Sequence, residues 1–276
     1  MNIALCSILG NWLYMKNSEL NDFIGDFSKI NEIQAIVLGG SRITNYSDNK
    51  ADYDIYVYSE NGVSQEIRQR ILSKFSTYYE MSNNFWELED NGIFKWGINF
   101  DIIYRNLQET VTRVADVVEN YECHNGFTTC LWHNIINSEI LFDNENIFAG
   151  IKKRFLVPYP KMLKKNIVKR NMDLLSDSII SYNKQISKSV HRRDYININN
   201  RLSAFFASYF DIIFAINELT HPGEKRIMEI CLDKCKILPN NFEGNVNDLI
   251  KNMDKDEKII EIIDIIILEL KKVLEY

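Results

Sequence analysis

The chain changes character at Val157-Pro158-Tyr159-Pro160, where two of its 4 prolines stand together, and that change limits the folds open to it. Before this point, short runs rich in β-branched and aromatic residues alternate with stretches of helical spacing. The strand-like runs are QAIVLGG (34–40), DYDIYVYSE (52–60), NFWELED (84–90) and GIFKWGINFDIIYRN (92–106). Between them, residues 62–80 set Ile67, Ile71 and Phe75 on one helical face, and a second helical run covers 107–121. After the prolines the strand pattern stops. Segments 161–190, 194–220, 225–235 and 256–276 read as amphipathic helix, with His221-Pro222-Gly223 breaking two of them. A chain ordered this way is α+β in its first part and all-α in its second. Its 276 residues suffice for two domains, expected at 1–156 and 157–276.

Composition narrows the class further. With 46% hydrophobic residues and only 11 Gly, the chain can bury a core and is not linker-like. A net charge of -6 disfavours a protein that holds nucleic acid by bulk electrostatics. The first 22 residues lack a basic start and a small-residue cleavage site, so they do not read as a signal peptide. The apolar run IIEIIDIIILEL near the C-terminus is broken by acids and too short to span a bilayer. A soluble, cytoplasmic protein with no membrane partner is the expectation. The 5 cysteines are odd in number and scattered. Cys231 and Cys235 lie one helical turn apart without a second pair to complete a zinc set, and read as buried thiols.

The chemistry concentrates in two places. The first is Val37-Leu38-Gly39-Gly40-Ser41-Arg42, followed after a spacer by Asp52-Tyr53-Asp54-Ile55-Tyr56-Val57-Tyr58. On a strand, Asp52 and Asp54 point to one face, roughly 6–7 Å apart, while Tyr53, Ile55 and Val57 point to the other. Carboxylates are costly in such a run unless a cation compensates them. Converging carboxylate oxygens suit Mg²⁺, and two such ions can be clamped about 3.5–4 Å apart. Gly39-Gly40 permits close backbone approach to a ligand, Ser41 offers a hydroxyl and an amide to phosphate, and Arg42 a charged fork. The second place is Asp101, which interrupts a strand whose other face is Ile98, Phe100, Ile102 and Tyr104. If the two strands are neighbours, the three carboxylates share a site.

These residues resemble the signature of the DNA polymerase beta-like nucleotidyltransferase superfamily: a hydrophobic residue, Gly-Gly or Gly-Ser, a spacer of about ten residues, Asp-x-Asp, and a third acid on a later strand. The resemblance covers residues 35–105. It implies a nucleotidyltransferase-fold mixed sheet with flanking helices, followed by a helical bundle. It also implies that Asp52 and Asp54 bind two Mg²⁺ ions, that Asp101 completes one of these sites, and that Gly40 and Ser41 hold the triphosphate. In the helical half, Phe214–Asn217 and His221–Arg226 look like a largely uncharacterised bacterial group of such enzymes. The two-domain layout is similar to the small-molecule enzymes that adenylylate aminoglycosides and lincosamides.

The implied reaction is attack of an acceptor hydroxyl on the α-phosphate of an NTP, with AMP from ATP as the expected group and pyrophosphate leaving. The expected partners are therefore an NTP and a small-molecule hydroxyl acceptor, an antibiotic among the candidates. An acceptor on a protein or tRNA, and a catalytically silent nucleotide-binding module, are the competing readings. The general base stays unassigned: Glu80, Glu87 and Glu89 precede the third-acid strand, but each also reads as a solvated acid. Phosphate cations are sought in the helical half, at Lys184, Lys188 and His191 or at Lys225 and Arg226, although charge runs of this kind commonly mark solvated helix ends. Tyr56 and Tyr58 share the carboxylate face, where they could stack on a ligand or serve only the strand.

Overall fold

The computed structural model describes residues 18–43, 51–254 and 256–274, without the side chains of Ser41 and Asp256. The chain divides into two compact units. One holds the residues up to Arg113 together with Asn134–Leu156, and the other holds Val114–His133 with the residues from Val157 onward.

The first unit is a six-stranded mixed sheet. In chain order it contains α1 (18–27), β1 (Ile33–Gly39), a 3₁₀ turn (Gly40–Ile43), β2 (Tyr53–Ser59) and α2 (Gln65–Phe75). Then follow β3 (Ser76–Asn83), β4 (Glu89–Phe94), β5 (Asn99–Asn106), β6 (Glu139–Asp143) and α5 (Ile147–Phe155). Helices α3 (Leu107–Val118) and α4 (Cys130–Asn137) lie between β5 and β6. The sheet order is β3-β4-β5-β2-β1-β6. Among the described residues, only the central β2–β5 pair is parallel.

One face of the sheet is apolar. Ile36 and Leu38 of β1, Ile55 and Val57 of β2, and Phe100 and Ile102 of β5 pack there against Phe23 and Phe27 of α1 and Leu72 and Phe75 of α2. Phe23 meets Phe75 and Phe94 edge-on, at centroid distances of 5.5 and 5.0 Å. The alternation along β2 and β5 sends every second side chain to the opposite face, which carries the polar residues.

Three boundaries differ from those expected. The helical reading of 62–80 holds only to Phe75. Ser76-Thr77-Tyr78-Tyr79-Glu80 turns directly into β3, because β-branched and aromatic residues pack better on a pleated surface than they continue a helix. Residues 84–88 form the loop of the β3–β4 hairpin rather than a strand, with Phe85 and Trp86 exposed at its tip. The run 92–106 is two strands, parted at Gly97, whose φ of +77° supplies the turn. The short β6 and the helices α1, α4 and α5 lay beneath the resolution of the sequence pattern.

The second unit is helical: α6 (Lys161–Met172), a π-turn (Asp173–Asp177), α7 (Tyr182–Arg192), α8 (Tyr195–Ile216), α9 (Ile227–Lys234), α10 (Phe242–Lys251) and α11 (Asp256–Leu274). Asp194 caps α8 by accepting a hydrogen bond from the Asn197 amide at 3.1 Å. The core gathers Leu202, Phe205, Tyr209 and Ile213 of α8 with Ile259, Ile263 and Ile266 of α11, and contains Cys231 and Cys235. The segment 114–133 belongs to this unit. Its Gly126, at φ +87°, sits so close to Ala207 that a Cβ would lie 2.8 Å from the backbone carbon. Among the described residues, no helix is long and apolar enough to cross a membrane.

Candidate active site

The parallel pairing of β2 and β5 places Asp54 directly opposite Asp101. The same register line runs on across the sheet: Gly39 of β1 faces Asp54, Asn91 of β4 faces Asp101, and Glu80 of β3 faces Asn91. Residues aligned across a sheet share a face, so Gly39, Asp54, Asp101, Asn91 and Glu80 form one polar row. Asp54 and Asp101 are half-buried, whereas their neighbours Tyr53, Ile55, Phe100 and Ile102 are buried in the apolar core. Asp52 lies one residue ahead of β2 and is also half-buried.

The Gly-Gly pair has a concrete steric duty. Gly40 has a φ of +66°, and a Cβ there would overlap the Asp54 carboxylate. A Cβ at Gly39 would stand 2.7 Å from the Tyr56 ring. The turn backbone therefore lies against the side chains of β2. At Gly40 its close approach is to a carboxylate.

The remaining predicted residues spread out. Arg42 stacks on the Tyr53 ring, 3.9 Å from its centroid, and its Nε donates to the Asp52 carbonyl at 3.2 Å. Tyr53 belongs to the apolar face, so this guanidinium is not gathered with Asp54 and Asp101. Ser41 lies in the 3₁₀ turn, with its side chain outside the described set. Lys184 belongs to the helical unit, where its Nζ donates to the Ser178 carbonyl at 2.7 Å at the start of α7. His191 Nδ1 contacts the Ser187 carbonyl at 2.6 Å. Tyr58 is buried under Phe148 of α5, with ring centroids 5.1 Å apart, so it serves packing. In the helical half, Phe214 and His221 of the family-like segments are likewise buried.

The three acids left open also separate. Glu87 is clamped by Arg105, whose Nε and Nη2 donate at 2.6 and 2.7 Å; this holds the Glu87 carboxyl below its usual range. Glu80 accepts from the Tyr78 hydroxyl at 2.6 Å, which lowers its carboxyl too. Burial raises Glu89 instead, with Asp101 and Glu87 adding to the rise and a hydrogen bond from Asn91 opposing it.

Two residues on this face were not singled out from the sequence. Arg105 follows Asp101 at strand period and lies 4.4 Å above the Tyr56 ring, so a period-two reading from Asp101 would have found it. Asn91 donates to Asp101 Oδ1 at 2.8 Å, a contact that becomes legible only once the β4–β5 register is known.

Among the described residues, no three His, Cys, Asp or Glu side chains gather closely enough to hold a metal ion. The pair Asp54 and Asp101 nevertheless suits a hard divalent ion, which takes one or two carboxylates and fills its shell with phosphate oxygens and water. The donor set fits an open site completed by substrate, not a closed protein cage.

Comparison with protein-family models and with curated protein sequences gives no match. Among solved structures, the chain is similar to a nucleotidyltransferase-like protein from Exiguobacterium sibiricum 255-15, at 10% identity and a TM-score of 0.41, over 91% of this chain and 71% of that one. It is also similar to an aminoglycoside 6-adenyltransferase from Bacillus subtilis, at 10% identity and a TM-score of 0.29, over 92% and 90% of the two chains. A third is the Thermotoga maritima CCA-adding enzyme complexed with tRNA, at 11% identity and a TM-score of 0.29, over 94% and 81%.

Proposed function

We propose that this protein is a nucleotidyltransferase that moves a nucleoside monophosphate, AMP from ATP in the first instance, onto a hydroxyl of a small molecule. The observation that carries the reading is the in-register placement of Asp54 and Asp101 on one half-buried face, beneath a Gly-Gly turn that leaves no room for a side chain. When bound, Mg²⁺ would neutralise the triphosphate and favour the ionised acceptor oxygen. Asp54 and Asp101 would hold the metal, with Asp52 joining from the start of the strand. The Gly39-Gly40-Ser41 turn would offer its amides to the phosphates. Arg42 Nε donates to the Asp52 carbonyl, which leaves the outer guanidinium nitrogens as the donors it could offer a phosphate. In the reaction the acceptor oxygen bonds to the α-phosphorus, and the bond from that phosphorus to the bridging oxygen breaks. Pyrophosphate takes the electron pair, and the acceptor proton passes to solvent water.

The face also speaks to the acceptor. Glu80, Glu89, Asp54 and Asp101 share it, which favours a neutral or cationic molecule over a polyanion. The test is pyrophosphate release from each NTP against a panel of hydroxyl-bearing metabolites and antibiotics, with tRNA included. Asp54→Ala or Asp101→Ala should each lower turnover by a factor on the order of 100 to 1,000, since preorganised charge stabilisation of this kind supplies several kcal/mol. Turnover close to wild type in either variant would sink the assignment. Transfer to tRNA that falls steeply with salt would replace the acceptor class.

A further inference from the structure

We propose that Asn91 is the positioning residue for Asp101, held in its working orientation by Asn83 through a bulge in β3; the proposal rests on the nucleotidyltransferase reading. The β3–β4 register pairs Glu80 with Asn91 and Asn83 with Glu89. Met81 and Ser82 together therefore oppose the single residue Asp90, which is a β-bulge. Side chains three apart on a regular strand point to opposite faces. The extra residue turns Asn83 onto the face that carries Glu80, Asn91 and Asp101.

The hydrogen bonds show what this achieves. Asn83 Nδ2 donates to Asn91 Oδ1 at 2.6 Å, and Asn91 Nδ2 donates to Asp101 Oδ1 at 2.8 Å. An asparagine amide is ambiguous in isolation, because it can present either its oxygen or its nitrogen to a neighbour. With its oxygen already accepting from Asn83, Asn91 presents N–H groups to the carboxylate. One oxygen of Asp101 is thereby fixed.

The bulge is pinned from the other side of the hairpin. Ser82, at φ +60°, donates its amide to Asp90 Oδ1 at 2.8 Å. Arg68 Nη1 reaches the same oxygen at 2.5 Å, and Nη2 donates to Ser82 Oγ at 2.9 Å. A buried ion pair on one face thus sets an amide relay on the other. Outer partners that orient a metal-binding carboxylate are worth about 10- to 100-fold in metal affinity.

The test uses Mn²⁺ as the probe, titrated by electron paramagnetic resonance into the full-length protein with a non-hydrolysable ATP analogue, alongside thermal unfolding of every variant. Asn91→Ala should weaken Mn²⁺ binding by about 10-fold or more. Asn83→Ala, which keeps Asn91, should weaken it less and carries the test by itself if Asn91→Ala does not fold. The double variant should bind no worse than Asn91→Ala, because Asn83 acts through Asn91. Wild-type affinity in the folded single variants overturns this proposal and leaves the metal site standing. Additive losses overturn the relay. A wild-type protein that takes no Mn²⁺ overturns both readings.

Discussion

Each unit of the molecule buries an aspartate, and the two are held in different ways. Asp90 in β4 and Asp211 in α8 are 0% and 1% exposed. Asp90 accepts from the Arg68 guanidinium, from the Ser82 amide, and from the Tyr104 hydroxyl at 2.9 Å. Asp211 accepts from the Thr128 amide at 3.0 Å, the Thr128 hydroxyl at 2.6 Å and the Asn171 side chain at 3.1 Å, all neutral donors. Burial pushes the Asp211 carboxyl up to about 6. Three neutral hydrogen bonds lower that value without cancelling the desolvation. The sheet unit uses an ion pair to fix a bulge. The helical unit uses a carboxylate to tie the segment around Thr128 to α6 and α8.

The largest test of that contrast removes the cation. Arg68→Met should destabilise the sheet unit by about 3–5 kcal/mol, because it leaves a buried charge without its partner. Arg68→Met with Asp90→Asn should recover most of the loss, since the charge is then gone. Denaturant unfolding followed by near-ultraviolet circular dichroism measures both. A single variant that loses less than about 1 kcal/mol would mean that the Ser82 and Tyr104 bonds suffice, and the contrast with Asp211 would collapse.

Asp211 supplies the next step, with the sign set by its raised pKa. The folded state binds this proton more tightly than the unfolded chain, whose Asp titrates near 3.9. Its contribution is therefore fully present below about pH 4 and is lost as pH rises through 6. The loss amounts to about 3 kcal/mol for a rise of some two pKa units. Asp211→Asn should lose this component of the pH dependence over that window. Its amide can be accommodated because, among the described residues, Asn171 Oδ1 has no hydrogen-bond partner and can accept from it once turned over. His221 works in the opposite direction: burial pushes its imidazole down to about 3, so its contribution is present above pH 6.5 and lost as pH falls. The wild-type curve blends the two. The difference between wild type and Asp211→Asn, measured from pH 4 to 7, isolates the aspartate. A flat difference would show that folding does not raise the Asp211 pKa.

These sites also mark how far the sequence could be read. The alternation of acids with apolar residues around Asp54 and Asp101 is a local pattern of period two, so the two strands were legible. So was the passage from strands to helices at Val157-Pro158-Tyr159-Pro160. Pairing was not. Asn91 meets Asp101, Arg68 meets Asp90 and Thr128 meets Asp211 across 10, 22 and 83 residues, with no periodicity linking the partners. The bulge at Ser82 was hidden for a different reason. A left-handed serine has no composition signal, and its conformation follows from the Asp90 and Arg68 groups that hold it. Arg42 adds a further contact of this kind: its guanidinium lies over the Tyr53 ring, which no periodicity links to the glycine turn.

The smallest effect concerns a third way of holding a carboxylate, by the open end of a helix. Asp143, at the end of β6, accepts from the Phe148 amide at 2.9 Å and the Ala149 amide at 2.8 Å. It does this from outside the helix: Glu145 and Asn146 are both left-handed, and the tight turn brings Asp143 back over the first turn of α5. Here the partners are backbone N–H groups that would otherwise face water, and the carboxylate is half-buried. Asp143→Ala should therefore cost only about 1 kcal/mol, as for other N-terminal caps, and Asp143→Asn less. The loss would be felt at Phe148, which covers Tyr58 on the face of β2 that also bears Asp54 and Tyr56. Unfolding of the two variants beside Arg68→Met orders Asp143 against Asp90. If Asp143→Ala costs as much as Arg68→Met, the charge of the partner does not set the scale, and the ranking drawn from Asp90 and Asp211 fails.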